Sequence, residues 1–204
     1  MVVQGFGNVG QHAALYAHQR GAKILAISDV SGGIYNAGGL DIPDVMRYVG
    51  EHKIVRGYPG AEPVTNEQLL AIPCDVLAPC AMENVITENN VEKICAKIIV
   101  EGANGPCTNA ASKILHERGI LTVPDILANG GGVIVSYFEW VQGLQHYFWD
   151  EEQVNNKMKQ IITGAFEKVW ELKTEKNIDM RTAAMGQAVR RLERAMLLRG
   201  LYPR

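Results

Sequence analysis

Met1-Val2-Val3-Gln4-Gly5-Phe6-Gly7-Asn8-Val9-Gly10 is the stretch whose reading decides the fold. Two β-branched residues run into a Gly-x-Gly-x-x-Gly, and residues 11–19, with His12, Ala13, Ala14, Leu15, Tyr16 and Ala17, read as a helix. Strand, glycine turn and helix in that order open a dinucleotide-binding unit. Gly5 supplies the tight backbone, Gly7 lets a pyrophosphate approach the main chain, and Gly10 lets helix and strand pack closely. Phe6, Asn8 and Val9 complete a loop whose unpaired N–H groups, with the helix dipole, face the phosphates. A second feature agrees. Residues 23–29 read as a strand ending in Asp29, 19 residues after Gly10, about where a carboxylate meets adenosine ribose hydroxyls. With 21 glycines in 204 residues, the alternative is a glycine turn in an unrelated α/β unit.

Working outward, the whole-chain numbers suit one domain with a helical extension. Hydrophobic residues make up 47% and charged residues 21%, enough for a substantial core in an ordinary soluble protein. A net charge of −2 leaves no basic footprint for nucleic acid. No apolar run approaches the roughly 20 residues of a membrane span, and no signal peptide precedes the first strand. Cys74, Cys80, Cys95 and Cys107 lack Cys-x-x-Cys spacing, and the five histidines lack ligand spacing, so no metal site is expected. Reduced thiols in a cytoplasmic protein are the expectation. Only Val2, Val3 and Gln4 precede the turn, where strands usually run to about five or six residues. The chain reads as cut within its central strand.

Beyond Asp29, residues 31–39 read as a loop rich in turn residues. Asp41 is a candidate N-cap for a helix with Pro43 in its first turn. Residues 53–63 read as an exposed connection, and Thr65 with Gln68 has capping-box spacing. Residues 74–80 read as a short buried strand, 97–101 and 120–124 as further strands, and residues 85–95 and 110–118 as helices. Strands alternating with helices imply a mostly parallel, doubly wound sheet of Rossmann type. Its ligands would sit beyond the carboxyl ends of the strands, where the glycine loop, Asp29, Cys80–Asn84, Gly102–Asn104 and Asp125–Asn129 all fall. From Asn129 onward the chain reads as helical. The run after Gly132 reads as a helix to about Phe148. Val154, Met158, Ile161, Ile162, Ala165, Phe166, Val169 and Trp170 mark one face of a helix of about five turns. A last helix over 181–199 would turn Ala184, Ala188, Leu192, Ala195 and Met196 inward. The expected architecture is a single dinucleotide-binding domain over 1–204: a βαβ core over 1–128, with helices of 129–204 packing back on it.

Several of these stretches together resemble the glutamate dehydrogenases. They are the glycine loop with Gln4, Ser28-Asp29, Gly32-Gly33-Ile34-Tyr35-Asn36, Glu101-Gly102-Ala103-Asn104-Gly105-Pro106, Pro124-Asp125-Ile126-Leu127-Ala128-Asn129, Ser136-Tyr137-Phe138-Glu139-Trp140-Val141-Gln142 and Asp179-Met180-Arg181-Thr182-Ala183-Ala184. The resemblance covers essentially the whole chain but only the family's NAD(P)-binding half. It implies that a preceding domain, absent here, supplies the substrate-binding lysine, the catalytic lysine and aspartate, and most contacts of a homo-hexamer. Cys107, Asn109 and Gly143 depart from the family's usual residues without touching the cofactor positions. Leucine and phenylalanine dehydrogenases share the glycine loop, but the stretch from Ser136 to Gln142 and the terminal helices favour glutamate.

The resemblance implies NAD as cofactor, with NADP possible, and glutamate or 2-oxoglutarate as substrate. Asp29 can accept from both ribose hydroxyls and repel a 2′-phosphate, and no basic residue directly follows it. The plainer reading is a polar residue capping a strand end. Asn104 and Asn129 are implied to reach the nicotinamide carboxamide, which an amide can bond in both directions. Each could instead stabilise its own turn. Cys80 and Ala81 line the cofactor path, Cys80 as a packed thiol. Ser136 is implied to meet the substrate side-chain carboxylate, against the plainer reading of a Ser bonding back to its own helix. No catalytic residue is assigned within the chain. A stand-alone nucleotide-binding or regulatory module without turnover is the second reading.

Overall fold

The computed structural model describes residues 1–200. The fold is α/β: a seven-stranded, mostly parallel sheet followed by helices. In chain order the elements are β1 (Val2–Gln4), α1 (Asn8–Gln19), β2 (Ala26–Asp29), β3 (Gly32–Tyr35), α2 (Ile42–His52), β4 (Glu62–Val64), α3 (Asn66–Leu70), β5 (Cys74–Pro79), β6 (Ala96–Val100), α4 (Asn109–Glu117), β7 (Leu121–Val123), α5 (Asp125–Ala128), α6 (Gly131–Gln145), α7 (Glu151–Lys176) and α8 (Met180–Arg199). The chain divides into two compact units, one over Met1–Asp125 and one beginning at Ile126.

The first unit holds the sheet, in the order β4-β3-β2-β1-β5-β6-β7. β1 pairs in parallel with β2 on one side and β5 on the other, so the strand order reverses beside it. That reversal is the topological switch point where open α/β sheets bind ligands. All three β1 residues are buried, and alternate side chains point to opposite faces. Val2 joins a cluster with Leu77, Ile94, Ile99 and Leu115. Val3 joins one with Ala14, Ile24, Ile27 and Ile42 on the other face.

Four expectations fail here, two of them for reasons visible in the local structure. Residues 32–35 form a strand, β3, antiparallel to β2. A Cβ at Gly33 would stand 2.9 Å from Val64 Cγ2, so a glycine that reads as a loop signal instead permits close strand approach. The connection over 53–63 contributes the first residues of β4. The helix expected over 85–95 is reduced to a 3-10 turn at Val91–Lys93. Thr87 N–H donates to Asn90 Oδ1, Asn89 N–H to Thr87 Oγ1 and Asn90 Nδ2 to Val85 O, so side chains capture the backbone groups that a helix would pair. The β2 strand is also shorter than 23–29.

Capping chemistry was read correctly. Asp41 caps α2 by accepting from Asp44 N–H, and Thr65 with Gln68 forms the reciprocal box at α3. In the second unit, α6 is a helix as expected, ending at His146 in the left-handed region. α7 runs 26 residues from a capping box at Asp150 to a left-handed Asn177, about two turns beyond its apolar stripe. Along α8, only Ala184 of the five residues expected to face inward is buried. Ala188, Leu192, Ala195 and Met196 are exposed, because none of the other described residues covers that half of the helix.

Candidate functional site

The glycine loop leaves β1 at the switch point, and each glycine has a separate reason. Gly5 lies at φ +93°, and a Cβ there would come within 2.8 Å of the Ala81 backbone. A Cβ at Gly10 would sit 1.8 Å from Gly5 O, so only hydrogen fits where α1 crosses the loop. At Gly7 a Cβ would meet nothing within 4 Å; the glycine faces open space. Two positions are therefore fixed by packing and the third leaves an approach clear.

The loop is held from three sides. Gly5 N–H donates to Ser28 Oγ at 3.4 Å, Cys80 N–H to Gln4 O at 2.7 Å, and Gln11 Nε2 to Phe6 O at 2.7 Å. Asn8 and Val9 are exposed above it, while Phe6 is buried below. α1 begins at Gly7 with no side-chain cap and no acid in its first turn. By contrast α2, α3, α4, α7 and α8 all have side-chain caps. A cap is worth about 1 kcal/mol, and α1 forgoes it at the switch point. Its first-turn N–H groups and positive dipole end remain for an anion.

The neighbouring strand ends interlock with this loop. Gly102 and Ala103 N–H both donate to Pro79 O. A Cβ at Gly102 would lie 2.5 Å from Cys80 Sγ and 3.3 Å from Val9 Cγ1. Burial pushes the Cys80 thiol up to about 11, so it is a neutral packing group. Ala81 is exposed beside Gly5. Asn104 is exposed in the loop after β6, and that loop is anchored from beneath. Asp125 N–H donates to Glu101 Oε2 at 2.8 Å, and Gly105 N–H to Asp125 Oδ2 at 2.8 Å. Glu101 is fully buried. In the sequence Glu101 stands out only as part of a motif, although an acid directly ending a buried strand is itself a signal. Ser28 reads as a strand residue, yet its hydroxyl takes the Gly5 N–H, while Gln4 serves the turn through its main-chain carbonyl, which accepts from Cys80 N–H.

Asp29 stands at the end of β2 as expected, but its carboxylate is largely committed within the protein. Oδ1 accepts from Ser31 N–H at 2.7 Å and Ser31 Oγ–H at 2.5 Å, and Oδ2 accepts from Val55 N–H at 2.8 Å.

In the second unit, Asn129 is half-buried just before α6. That helix starts at Gly130 without a side-chain cap or a first-turn acid, the same bare start that α1 has. Ser136 is exposed on α6, one turn from exposed Val133 and Trp140. Phe138 and Gln142 occupy the buried side, and Trp149 N–H donates to Gln142 Oε1 at 2.6 Å. Among the described residues no cluster of His, Cys, Asp and Glu could hold a metal ion, and no helix is long and apolar enough to cross a membrane.

Comparison with known proteins agrees with this geometry. The chain is 53% identical over its whole length to a glutamate dehydrogenase of Thermotoga maritima, of which it covers 49%. It is 46% identical to the catabolic NAD-specific glutamate dehydrogenase RocG of Bacillus subtilis over 98% of the chain and 47% of the relative. Its fold matches the hetero-hexameric glutamate dehydrogenase of Thermus thermophilus, in a leucine-bound form, with TM-score 0.91 and 32% identity over 99% of this chain and 48% of that one. The chain thus spans about half the length of these relatives. Residues 1–200 match the family model described as glutamate/leucine/phenylalanine/valine dehydrogenase, and the chain belongs to that family.

Proposed function

We propose that this chain is the cofactor-binding half of a glutamate dehydrogenase, binding NAD at the switch point and performing no turnover alone. The observation that carries this is the bare N-terminus of α1 above Gly7, at the strand reversal of a parallel sheet. A dinucleotide fits this cradle: the pyrophosphate over Gly7, the adenosine toward the end of β2, and the nicotinamide toward the loops after β5 and β6. When bound, the cofactor supplies a hydride acceptor for the substrate α-carbon, and oxidative deamination of glutamate gives 2-oxoglutarate and ammonia.

The chain's own residues position and exclude. First-turn amides of α1 take phosphate charge. Asn104 in the first unit, and separately Asn129 in the second, each carry an amide of the kind that can bond a carboxamide in both directions. Cys80 and Ala81 pack along the path, and Ser136 offers a neutral hydroxyl to a distal carboxylate. No described side chain is assigned to the α-carboxylate or to the amino proton. Hydride transfer needs reacting atoms held about 3–3.5 Å apart, and a base near neutral pKa. The resemblance implies that those groups come from a preceding domain, about half of each relative lying outside the stretch matched here. The NAD-specific RocG relative supports NAD, the names of both glutamate dehydrogenase relatives support glutamate rather than leucine or phenylalanine, and a homo-hexamer in the cytoplasm is the assembly we assign to the complete enzyme, with the hetero-hexameric relative of Thermus thermophilus as the hexameric precedent.

Titration with NAD by calorimetry tests the reading. The chain should bind NAD, and NAD should raise its melting temperature in a concentration-dependent way. Gly7→Val should lose nearly all binding while keeping the circular dichroism of the parent, since its Cβ strikes no protein atom. Unchanged NAD affinity in Gly7→Val would reduce the loop to a structural role. Steady NADH formation from glutamate would show a complete site within the chain.

A further inference from the structure

The second unit holds a cavity of about 840 Å³ between α5, α7 and α8, within the size range of small-molecule pockets. Its floor is apolar, made by Leu127, Ile161, Ala165, Val169, Ala184 and Ala188. Along α7 its wall runs from Gln160 to Val169, about 13 Å of helix axis. Gln187 Nε2 donates to Lys168 O at 3.0 Å and ties α8 to α7. Gly164 lies on the same wall, in the middle of the 26-residue α7. A glycine there weakens the helix relative to alanine, yet a Cβ would meet nothing within 4 Å. Packing does not require this glycine; its missing side chain leaves the cavity open.

The rest of the lining is cationic. Lys168, Arg190, Arg191 and Arg194 border the cavity, and among the described residues no carboxylate does. None of the four is in an ion pair among the described residues. Glu175, a carboxylate that Arg190 influences, is bonded to Lys176 at 2.7 Å. Gln187, Arg190, Arg191 and Arg194 recur every three or four positions, so they share one face of α8, and like charges at that spacing repel. These arginines also lie more than a turn before the end of α8 at Arg199, too far for the helix dipole to account for them. Arginine stems can cover an apolar floor while their guanidinium heads stay at its polar edge.

We propose that this cavity binds a small amphipathic anion, an apolar chain ending in a carboxylate or a phosphate. The chain lies on the floor between Ile161, Ala165 and Ala188, where burial of apolar surface supplies affinity. The head group meets the arginines, whose planar fork matches two oxygens of either anion. Its charge offsets the repulsion among Arg190, Arg191 and Arg194. A head group alone forgoes the apolar contact, and a chain alone leaves the cations unpaired. Every residue of the site belongs to the second unit, so the proposal stands apart from the dinucleotide reading of the glycine loop.

The test is calorimetric titration of the 204-residue chain with octyl phosphate and octanoate, each below its micelle-forming concentration. Inorganic phosphate and octanol are titrated as the separate halves. Both amphipathic anions should bind, and each half should bind at least about tenfold more weakly than octyl phosphate. Arg190→Gln combined with Arg194→Gln should weaken octyl phosphate by about tenfold or more and reduce its salt dependence. Gly164→Leu should weaken it as much by filling the space, and should fold as well as the parent because leucine is the better helix former. In these variants NAD affinity should stay within about twofold, as expected for separate sites. Bound octyl phosphate should slow hydrogen exchange of α8 from Ala188 to Arg194. Absence of saturable binding, or binding that neither variant weakens, overturns the site. Competition between octyl phosphate and NAD would place the anion at α1 and overturn it too. Inorganic phosphate binding as tightly as octyl phosphate would mean an adventitious ion only. A parent that dimerises, beside variants that stay monomeric, would mean that a second copy covers the groove, and the proposal would fall.

Discussion

The two units of the chain treat their apolar residues in opposite ways. In the first, apolar side chains form two clusters on the two faces of the sheet. Every large side chain that is fully buried, from Ile24 and Ile27 through Ile99 to Leu115, lies there. In the second, Val133, Tyr137, Trp140 and Leu144 are exposed along α6, and Met185, Val189, Leu192 and Met196 along α8. These residues recur every three or four positions, so each set is a continuous stripe on one helix face. The sheet unit is therefore specified by burial among its own residues. The helical unit is specified by local signals: the capping box at Asp150, the left-handed turn at Asn177 and the Asp179 cap. Its apolar stripes exceed what the described residues cover.

Hydrogen exchange should show the widest gap. Amides of β1, β5 and β6 lie within two-sided burial and should exchange only on global opening of the first unit. Amides of α8 beyond Ala188 should exchange by local fraying, faster by several orders of magnitude. Equal protection in both places would break the contrast.

Substitution comes next. Ile99→Ala removes a fully buried side chain from β6 and should cost about 2–5 kcal/mol in urea unfolding. Leu192→Ala, at a residue 65% exposed, should cost no more than about 0.5 kcal/mol. A large loss at Leu192 would mean that the stripe on α8 is covered in solution, and the oligomeric state should then be measured.

This contrast also explains what was legible in the sequence. The glycine loop, the parallel strands and the helix caps depend on residues within a few positions of one another, and all were readable. The inward face of α8 was misplaced because periodicity tells which residues share a face, not whether anything covers that face. The strand β3 was missed because a glycine pair is the same signal for a turn and for close strand packing. Asp29 stands at the end of β2, where its spacing from Gly10 puts it. Its commitment to Ser31 and Val55 was not legible, because Val55 comes from a separate loop 26 residues on.

The Asp29 network gives a smaller stability effect. Asp29→Ala strands the N–H groups of Ser31 and Val55 together, and should cost about 1–3 kcal/mol by unfolding. Asp29→Asn keeps an acceptor and should cost less. The order of the two variants separates a structural carboxylate from one held for ligand alone, since in the latter case both would unfold like the parent without NAD.

The smallest effect is confined to alkaline pH and again sits in the first unit. Tyr58 is buried against the Val3 cluster, and its hydroxyl donates to Asp44 Oδ2 at 2.7 Å. Burial, reinforced by that bond to a carboxylate, pushes its phenol up to about 12 from an ordinary 10.0. The unfolded chain releases this proton near pH 10 and the folded chain does not. The contribution of the protonated phenol is therefore complete below pH 10, and stability falls as pH rises from about 10 to 12. In urea titrations across that window, the parent should lose stability more steeply than Tyr58→Phe, whose ring cannot ionise. At neutral pH the pair should differ only by the lost hydrogen bond, about 1 kcal/mol. Parallel curves between pH 10 and 12 would mean that Tyr58 ionises in the folded chain as readily as in the unfolded one. The bond to Asp44 would then not persist in solution.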